Sequence, residues 1–235
     1  MDIVVPSQFN GPPYSGNGGW TSGHLAALLP DHDGAASVRL FSPPPLDTPM
    51  QVTTGHDSGE LTALHGHVKV ASARLAPPME TEDVPEPVQF AEAEAAGDSY
   101  AGLVDHPFPT CFSCGTERDP NEALCLRTGV VREGVYAAAW VPREVTPEIV
   151  WAAIDCPSGW ALGVGGRPMV LGTMTAQVDE LPEPGSELVV LAWPISSQGR
   201  KHHAGTALLQ GDRMLAQARS VWISVDPESV RPIAG

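Results

Sequence analysis

A carboxylate is costly to bury, and Asp155 sits in the middle of an apolar run, Val-Trp-Ala-Ala-Ile-Asp-Cys-Pro-Ser-Gly-Trp from Val150 to Trp160. Held there, it can take a proton from water or attack an electrophilic carbon itself. It can equally cap a helix by accepting from an amide that follows Cys156-Pro157. Amides at a helix start are unpaired and carry partial positive charge, so they can polarise a carbonyl and stabilise the oxyanion formed from it. Glycine lets a substrate approach such amides closely. Gly18 and Gly19 fit this role near one helix start, and Ser158 and Gly159 near another if Pro157 marks a start or break. The same glycines can instead serve tight helix–sheet packing. Asn17 cannot act as a base, but it can hold a water or a carbonyl, or close an Asx-turn. His24 offers acid–base chemistry or simple packing.

Two further clusters carry possible chemistry. Cys111-x-x-Cys114, with Cys125 and His106, has the makings of a tetrahedral zinc set. Cys125 stands alone between Leu124 and Leu126, so it can also point into a core. The expectation is reduced thiols in a packed insert and no metal. Cys156 has no base adjacent in sequence to activate it as a nucleophile. Gly199-Arg200-Lys201-His202-His203 is the densest basic patch of an acidic chain, either a phosphate contact or a solvated hairpin tip.

These residues need a scaffold, and the chain repeats one. Gly19-Trp20 recurs as Gly159-Trp160, 140 positions on. The stretch from Val38 to Val52 lines up with Ala176 to Val190 at an offset of 138, and Gly66 to Arg74 with Gly211 to Arg219 at 145. Three collinear blocks imply a duplicated, domain-sized module, and two such modules pair naturally about a pseudo-twofold axis. The offset of 140 sets Asn17 opposite Pro157 and Asp155 opposite Ser15, so the two potential sites are not chemically equivalent.

Each module reads as a strand, a helix and a run of strands. In the first, Ile3-Val4-Val5 is a short strand, and Trp20 to Leu29 a helix stopped at Pro30. Strands follow at Ala36–Phe41, Met50–Thr54, Glu60–His65 and Val68–Leu75. In the second, Val135–Val141 precedes a helix over Thr146 to Ala161, whole or broken at Pro157. Strands then occupy Met169–Leu181, Glu187–Pro194, Gly205–Gln210 and Met214–Val225, with Gly211-Asp212 as a hairpin turn. The division is therefore 1–76, an insert over 77–134, and 135–235. The acidic, Pro- and Ala-rich start of the insert, Pro78 to Gly97, reads as a solvated linker. His106 to Gly115 reads as a packed loop.

Composition narrows the function classes. A content of 42% hydrophobic and 17% charged residues fits a globular chain with a core. A net charge of −15 argues against a nucleic-acid partner. No apolar run is long enough for a membrane span. Met1 to Pro6 lacks a basic region and a long apolar run, so no signal peptide and a cytoplasmic address are expected.

Gly-Asn-Gly-Gly-Trp opening the first helix, Trp151 to Ala161 forming the second, and Pro184-Gly185-Ser186-Glu187-Leu188 before a strand together resemble the hotdog-fold thioesterase-like superfamily in its tandem, double-hotdog form. The resemblance implies an α+β fold of two tandem hotdog modules, each an antiparallel sheet wrapped around one long helix. It implies hydrolysis of an acyl-CoA or acyl-carrier thioester, with coenzyme A entering only as part of the substrate and no separate cofactor. Asp155 is then base or nucleophile, and the amides near Asn17, Gly18, Gly19, Ser158 and Gly159 the oxyanion site. Trp20, His24, Trp151 and Trp160 would line the acyl chain, and Arg200 and Lys201 would meet the phosphates of coenzyme A. A non-catalytic acyl-ligand or protein-binding module is one alternative, and an enoyl-thioester hydratase or dehydratase another. A homodimer of double hotdogs fits the superfamily's habits.

Overall fold

The computed structural model describes residues 1–30, 34–56 and 58–226. Residues 227–235 of the second module lie outside the described residues. The first half contains β1 (Asp2–Ile3), α1 (Gly18–Ala26), β2 (Ala35–Leu40), β3 (Met50–Thr54), β4 (Leu61–His65) and β5 (Val68–Ala76). The insert supplies α2 (Phe90–Ala96) and β6 (Gly129–Arg132). The second half contains β7 (Val135–Trp140), α3 (Pro147–Ala153), α4 (Cys156–Ala161), β8 (Met169–Val178), β9 (Leu188–Gln198), β10 (Lys201–Gln210) and β11 (Arg213–Ser224).

All the strands join one antiparallel sheet in the order β1-β3-β4-β5-β2-β8-β11-β10-β9-β7-β6. The halves share an internal order: β1-β3-β4-β5-β2 matches β7-β9-β10-β11-β8. The chain is thus two tandem hotdog modules. Their seam is the β2–β8 pair, where Ser37 lies opposite Thr175 and the Thr175 hydroxyl donates to the Ser37 hydroxyl at 2.9 Å. These two residues are 138 apart, the offset of the sequence repeat, so each is paired with its own equivalent. A twofold contact requires such self-pairing.

The second module departs from the one-long-helix expectation. Its helix is broken, with Ile154 (φ −92°, ψ 9°) and Asp155 (φ −87°, ψ −75°) between α3 and α4. Pro157, which has no N–H to give, falls in the first turn of α4, where helices tolerate it. The first module's helix is also short, ending at Ala26 rather than Leu29.

The insert is more ordered than a solvated linker. Val88 and Ala93 are buried against Val135, Val189, Leu191 and Trp193 on the sheet face turned away from α4. Ala93 and Ala96 of α2 face inward while Glu92 and Glu94 stay outside, so the acidic count concealed an amphipathic helix. Strand β6, ahead of the boundary expected at residue 135, pairs with β7 and extends the second module's edge.

The helices α1 and α3 cross closely because α1 presents Gly19 and Gly23 to Trp151 and its neighbours. A Cβ on Gly23 would lie 2.8 Å from the Trp151 side chain, and one on Gly19 would lie 2.6 Å from the Trp151 carbonyl oxygen. Only glycine permits this approach. It brings the N-terminus of α1, in one module, against the break between α3 and α4 in the other. The main core runs through this contact, from Trp20 and Leu25 to Ile154 and Trp222.

Candidate active site

The first turn of α1 has four amides that need acceptors. Asn17, the N-cap, gives its own amide to the Phe9 carbonyl at 2.7 Å and takes the Trp20 amide on its Oδ1 at 2.8 Å. The Gly19 amide donates to Asp155 Oδ2, from the opposite module, at 2.8 Å. The Gly18 amide has no partner among the described residues. Asp155 is therefore a cap, but of the other module's helix. It makes no side-chain bond to α4, whose start it precedes.

Asp155 is 1% exposed, and its second oxygen, Oδ1, has no hydrogen-bond partner. Burial pushes its carboxyl up from 3.8 to about 7, against the Gly19 amide, which favours the charged form. Beside it opens a cavity of about 460 Å³, within the range of small-ligand sites. Both modules and the insert line it. Gly18 and Leu40 come from the first module, His106 and Cys111 from the insert, and Asp155, Trp160, Leu171 and Trp222 from the second.

The expected site residues divide sharply. Asn17, Gly18, Asp155 and Trp160 meet at the cavity. Gly19 contributes through its bond to Asp155. Ser158 and Gly159 do not line the cavity. The Ser158 amide and hydroxyl both donate to the Asp155 carbonyl, at 3.0 and 2.6 Å, and the Trp222 indole donates to that hydroxyl at 2.7 Å. A Cβ on Gly159 would lie 2.9 Å from the Trp222 ring, so this glycine serves helix–sheet packing. The oxyanion role expected of this pair is corrected accordingly: the polar groups of Ser158 are consumed within the fold, and Gly159 packs against Trp222 away from the cavity.

Trp20 and Trp151 are core residues, not walls of the cavity. Trp20 stacks between Phe9, at 4.4 Å, and His24, at 4.9 Å. His24 lies away from the cavity and bonds Glu148 at 3.3 Å, which holds the Glu148 carboxyl down at about 2. Arg200 lies in the exposed β9–β10 turn, and Lys201, also exposed, opens β10. Arg200 Nε donates to the Ser224 carbonyl at 3.0 Å, and Ser224 lies between the cavity residues Ile223 and Val225.

Two features were missed from sequence. His106 and Asp155 line one cavity although 49 positions separate them in the chain. The Phe108 amide donates to His106 Nδ1 at 3.0 Å, which leaves the proton on Nε2, and Nε2 donates to the Cys114 carbonyl at 3.0 Å. Burial holds this imidazole below its ordinary pKa. The thiols also regroup. Cys156, not Cys125, joins Cys111 and Cys114, while Cys125 donates to the Arg118 carbonyl at 3.7 Å. Only the Cys-x-x-Cys spacing signalled this cluster, because its third member lies in the α3–α4 region.

No family model and no curated protein matches the chain. Solved structures do. A conserved protein of unknown function with hot dog fold from Alicyclobacillus acidocaldarius is 15% identical, with a TM-score of 0.60 over 96% of this chain and 93% of that one. An acyl-CoA thioesterase II from Mycobacterium marinum is 12% identical, with a TM-score of 0.54 over 93% and 92%. The dehydratase domain of a mycocerosic acid synthase-like polyketide synthase is 14% identical, with a TM-score of 0.57 over 98% and 91%. At these identities the likeness establishes the double-hotdog fold. Among the described residues no helix is long and apolar enough to cross a membrane.

Proposed function

We propose that this chain hydrolyses acyl thioesters of coenzyme A or of a carrier protein, with Asp155 as the base. One observation carries the reading. A buried carboxylate on the cavity wall has one oxygen fixed by the opposite helix and the other unpartnered. In the reaction, Asp155 Oδ1 takes a proton from water and the water oxygen attacks the thioester carbonyl carbon. The Gly18 amide receives the oxyanion. Collapse breaks the C–S bond, and the departing thiolate takes up the proton, leaving a carboxylic acid and a free thiol. Asp155 Oδ1 attacking the carbon directly is the other use of the same oxygen: the C–S bond breaks and the thiolate leaves with an anhydride formed, which water opens to the carboxylic acid, regenerating Asp155 and giving the thiolate its proton.

The acyl chain rests in this reading on Leu40, Leu171, Trp160 and Trp222, not on Trp20 or Trp151. Arg200, anchored beside Ile223 and Val225, is in position for a nucleotide phosphate at the cavity edge. Similarity in fold to an acyl-CoA thioesterase supports the substrate class. A hydratase or dehydratase needs a free imidazole beside the carboxylate, whereas both nitrogens of His106 are engaged by backbone. A purely binding module has no use for a buried carboxylate oxygen without a partner, since such a group is costly.

The test is Asp155→Asn. Its amide oxygen can still accept from Gly19, so the fold is kept, while kcat for acyl-CoA hydrolysis falls by about 10²-fold or more. Turnover equal to wild type would remove Asp155 from the mechanism. Ligand binding without turnover in the wild type would support the binding-module alternative.

A further inference from the structure

We propose that Cys111, Cys114 and Cys156 bind a zinc ion on the wall of the cavity. This inference is independent of the thioesterase reading, and it departs from the sequence-based expectation of no metal.

The three sulfurs lie within 4.8 Å of one another, and Cys111 Sγ is 3.7 Å from Cys156 Sγ. Tetrahedral zinc with Zn–S bonds of about 2.3 Å sets sulfurs about 3.75 Å apart. One edge of the triangle thus already has the required length, and the others need only a small contraction. All three cysteines are buried and free.

One side-chain amide from outside the cluster reaches two of the sulfurs. Asn17 Nδ2 donates to Ser113 Oγ at 3.1 Å and also lies 3.8 Å from both Cys111 Sγ and Cys156 Sγ. It has no choice of orientation, because Asn17 Oδ1 is held by the Trp20 amide. The segment 112–114 forms a turn between Cys111 and Cys114. That turn is closed by Gly115, whose amide donates to the Cys111 carbonyl at 2.9 Å. A Cβ there would meet the Cys111 and Pro109 carbonyl oxygens at 2.4 and 2.6 Å, backbone that cannot yield. A disulfide between Cys111 and Cys156 would leave the buried thiol of Cys114 beside it unexplained.

A fourth protein ligand is missing from the cluster among the described residues. Cys125 lies elsewhere, and both nitrogens of His106 are occupied. All three cysteines line the cavity, so its contents supply the fourth ligand: water or a donor atom of a bound molecule. Zinc sites of three protein ligands with one open position are of the reactive kind. Loading forms three Zn–S bonds and releases three thiol protons to solvent.

Metal analysis of the full chain, purified without chelator or added metal, tests this. The expected content is about one zinc per chain in the wild type and in Cys125→Ser, and near none in Cys111→Ser, Cys114→Ser and Cys156→Ser. Zinc retained by Cys111→Ser at the wild-type level overturns the site, and copper or iron in place of zinc overturns the metal assignment. Should the serine variants fail to fold, cobalt(II) titrated into the metal-depleted wild type decides. Sulfur-to-cobalt charge-transfer absorption with proton release supports the proposal, and a folded chain that takes up no metal refutes it.

Discussion

Adding one methyl group at Gly19 attacks the contact on which the site rests. The new Cβ would lie 2.5 Å from Asp155 Cβ, 2.6 Å from the Trp151 carbonyl oxygen and 3.0 Å from Ala152 Cα. The carbonyl and Cα are backbone, so no rotamer change relieves the clash. Reaching ordinary contact requires α1 and the α3–α4 break to part by about 0.9 Å, in an interior that is otherwise close-packed. A shift of that size stretches the 2.8 Å bond from the Gly19 amide to Asp155 beyond hydrogen-bonding range. Overpacking costs about 1–3 kcal/mol, and loss of a hydrogen bond to a charged group a further 1.5–3 kcal/mol or so. For a chain of 235 residues the sum lowers Tm by roughly 5–20 °C. Misplacing the base by about 1 Å also costs on the order of 10²-fold in turnover. Thermal unfolding and acyl-CoA hydrolysis should be measured together, with Gly166→Ala as control, since a Cβ there meets nothing within 4 Å. A Gly19→Ala protein with wild-type Tm and turnover would refute the claim that this contact builds the site.

Two other expectations follow from charges outside the cavity. Replacing Arg200 and Lys201 with Ala should raise KM for coenzyme A esters more than for short pantetheine thioesters, by a factor that shrinks as salt rises; equal effects on both would leave the turn without a substrate role. Because His24 holds the Glu148 carboxyl near 2 rather than 4.5, its contribution to stability is present above pH 4.5 and lost as pH falls toward 2. Glu148→Gln should therefore lower Tm more at pH 7 than at pH 3.5, and a pH-independent difference would show that the ion pair contributes nothing.

Much of the fold was legible because strands and duplications leave periodic marks. The 138-residue offset, read over Val38 to Val52, extends one residue back to Ser37 and Thr175, the pair at the seam. The Gly211-Asp212 turn between β10 and β11 stands where the hairpin signal put it. Asp155 was conspicuous as a carboxylate in an apolar run, but its partner was not. The bond to Gly19 spans 136 positions and arises only when the two modules dock. The same docking joins Cys156 to Cys111, 45 positions away. Trp20 and Trp151 illustrate a different limit: an aromatic residue in an apolar helix gives no sign of whether it faces a cavity or the core. In the insert the acidic residues drew the reading toward a linker, while Ala93 and Ala96 of α2 determined the packing.

A structure of the chain with a non-hydrolysable acyl-CoA analogue, its thioester sulfur replaced by methylene, tests the central claim most directly. The account predicts the acyl chain against Leu40, Leu171, Trp160 and Trp222, with the carbonyl oxygen about 3 Å from the Gly18 amide and Asp155 Oδ1 turned toward the carbonyl carbon. An acyl group bound outside this cavity, or a carbonyl turned away from both Gly18 and Asp155, would contradict it.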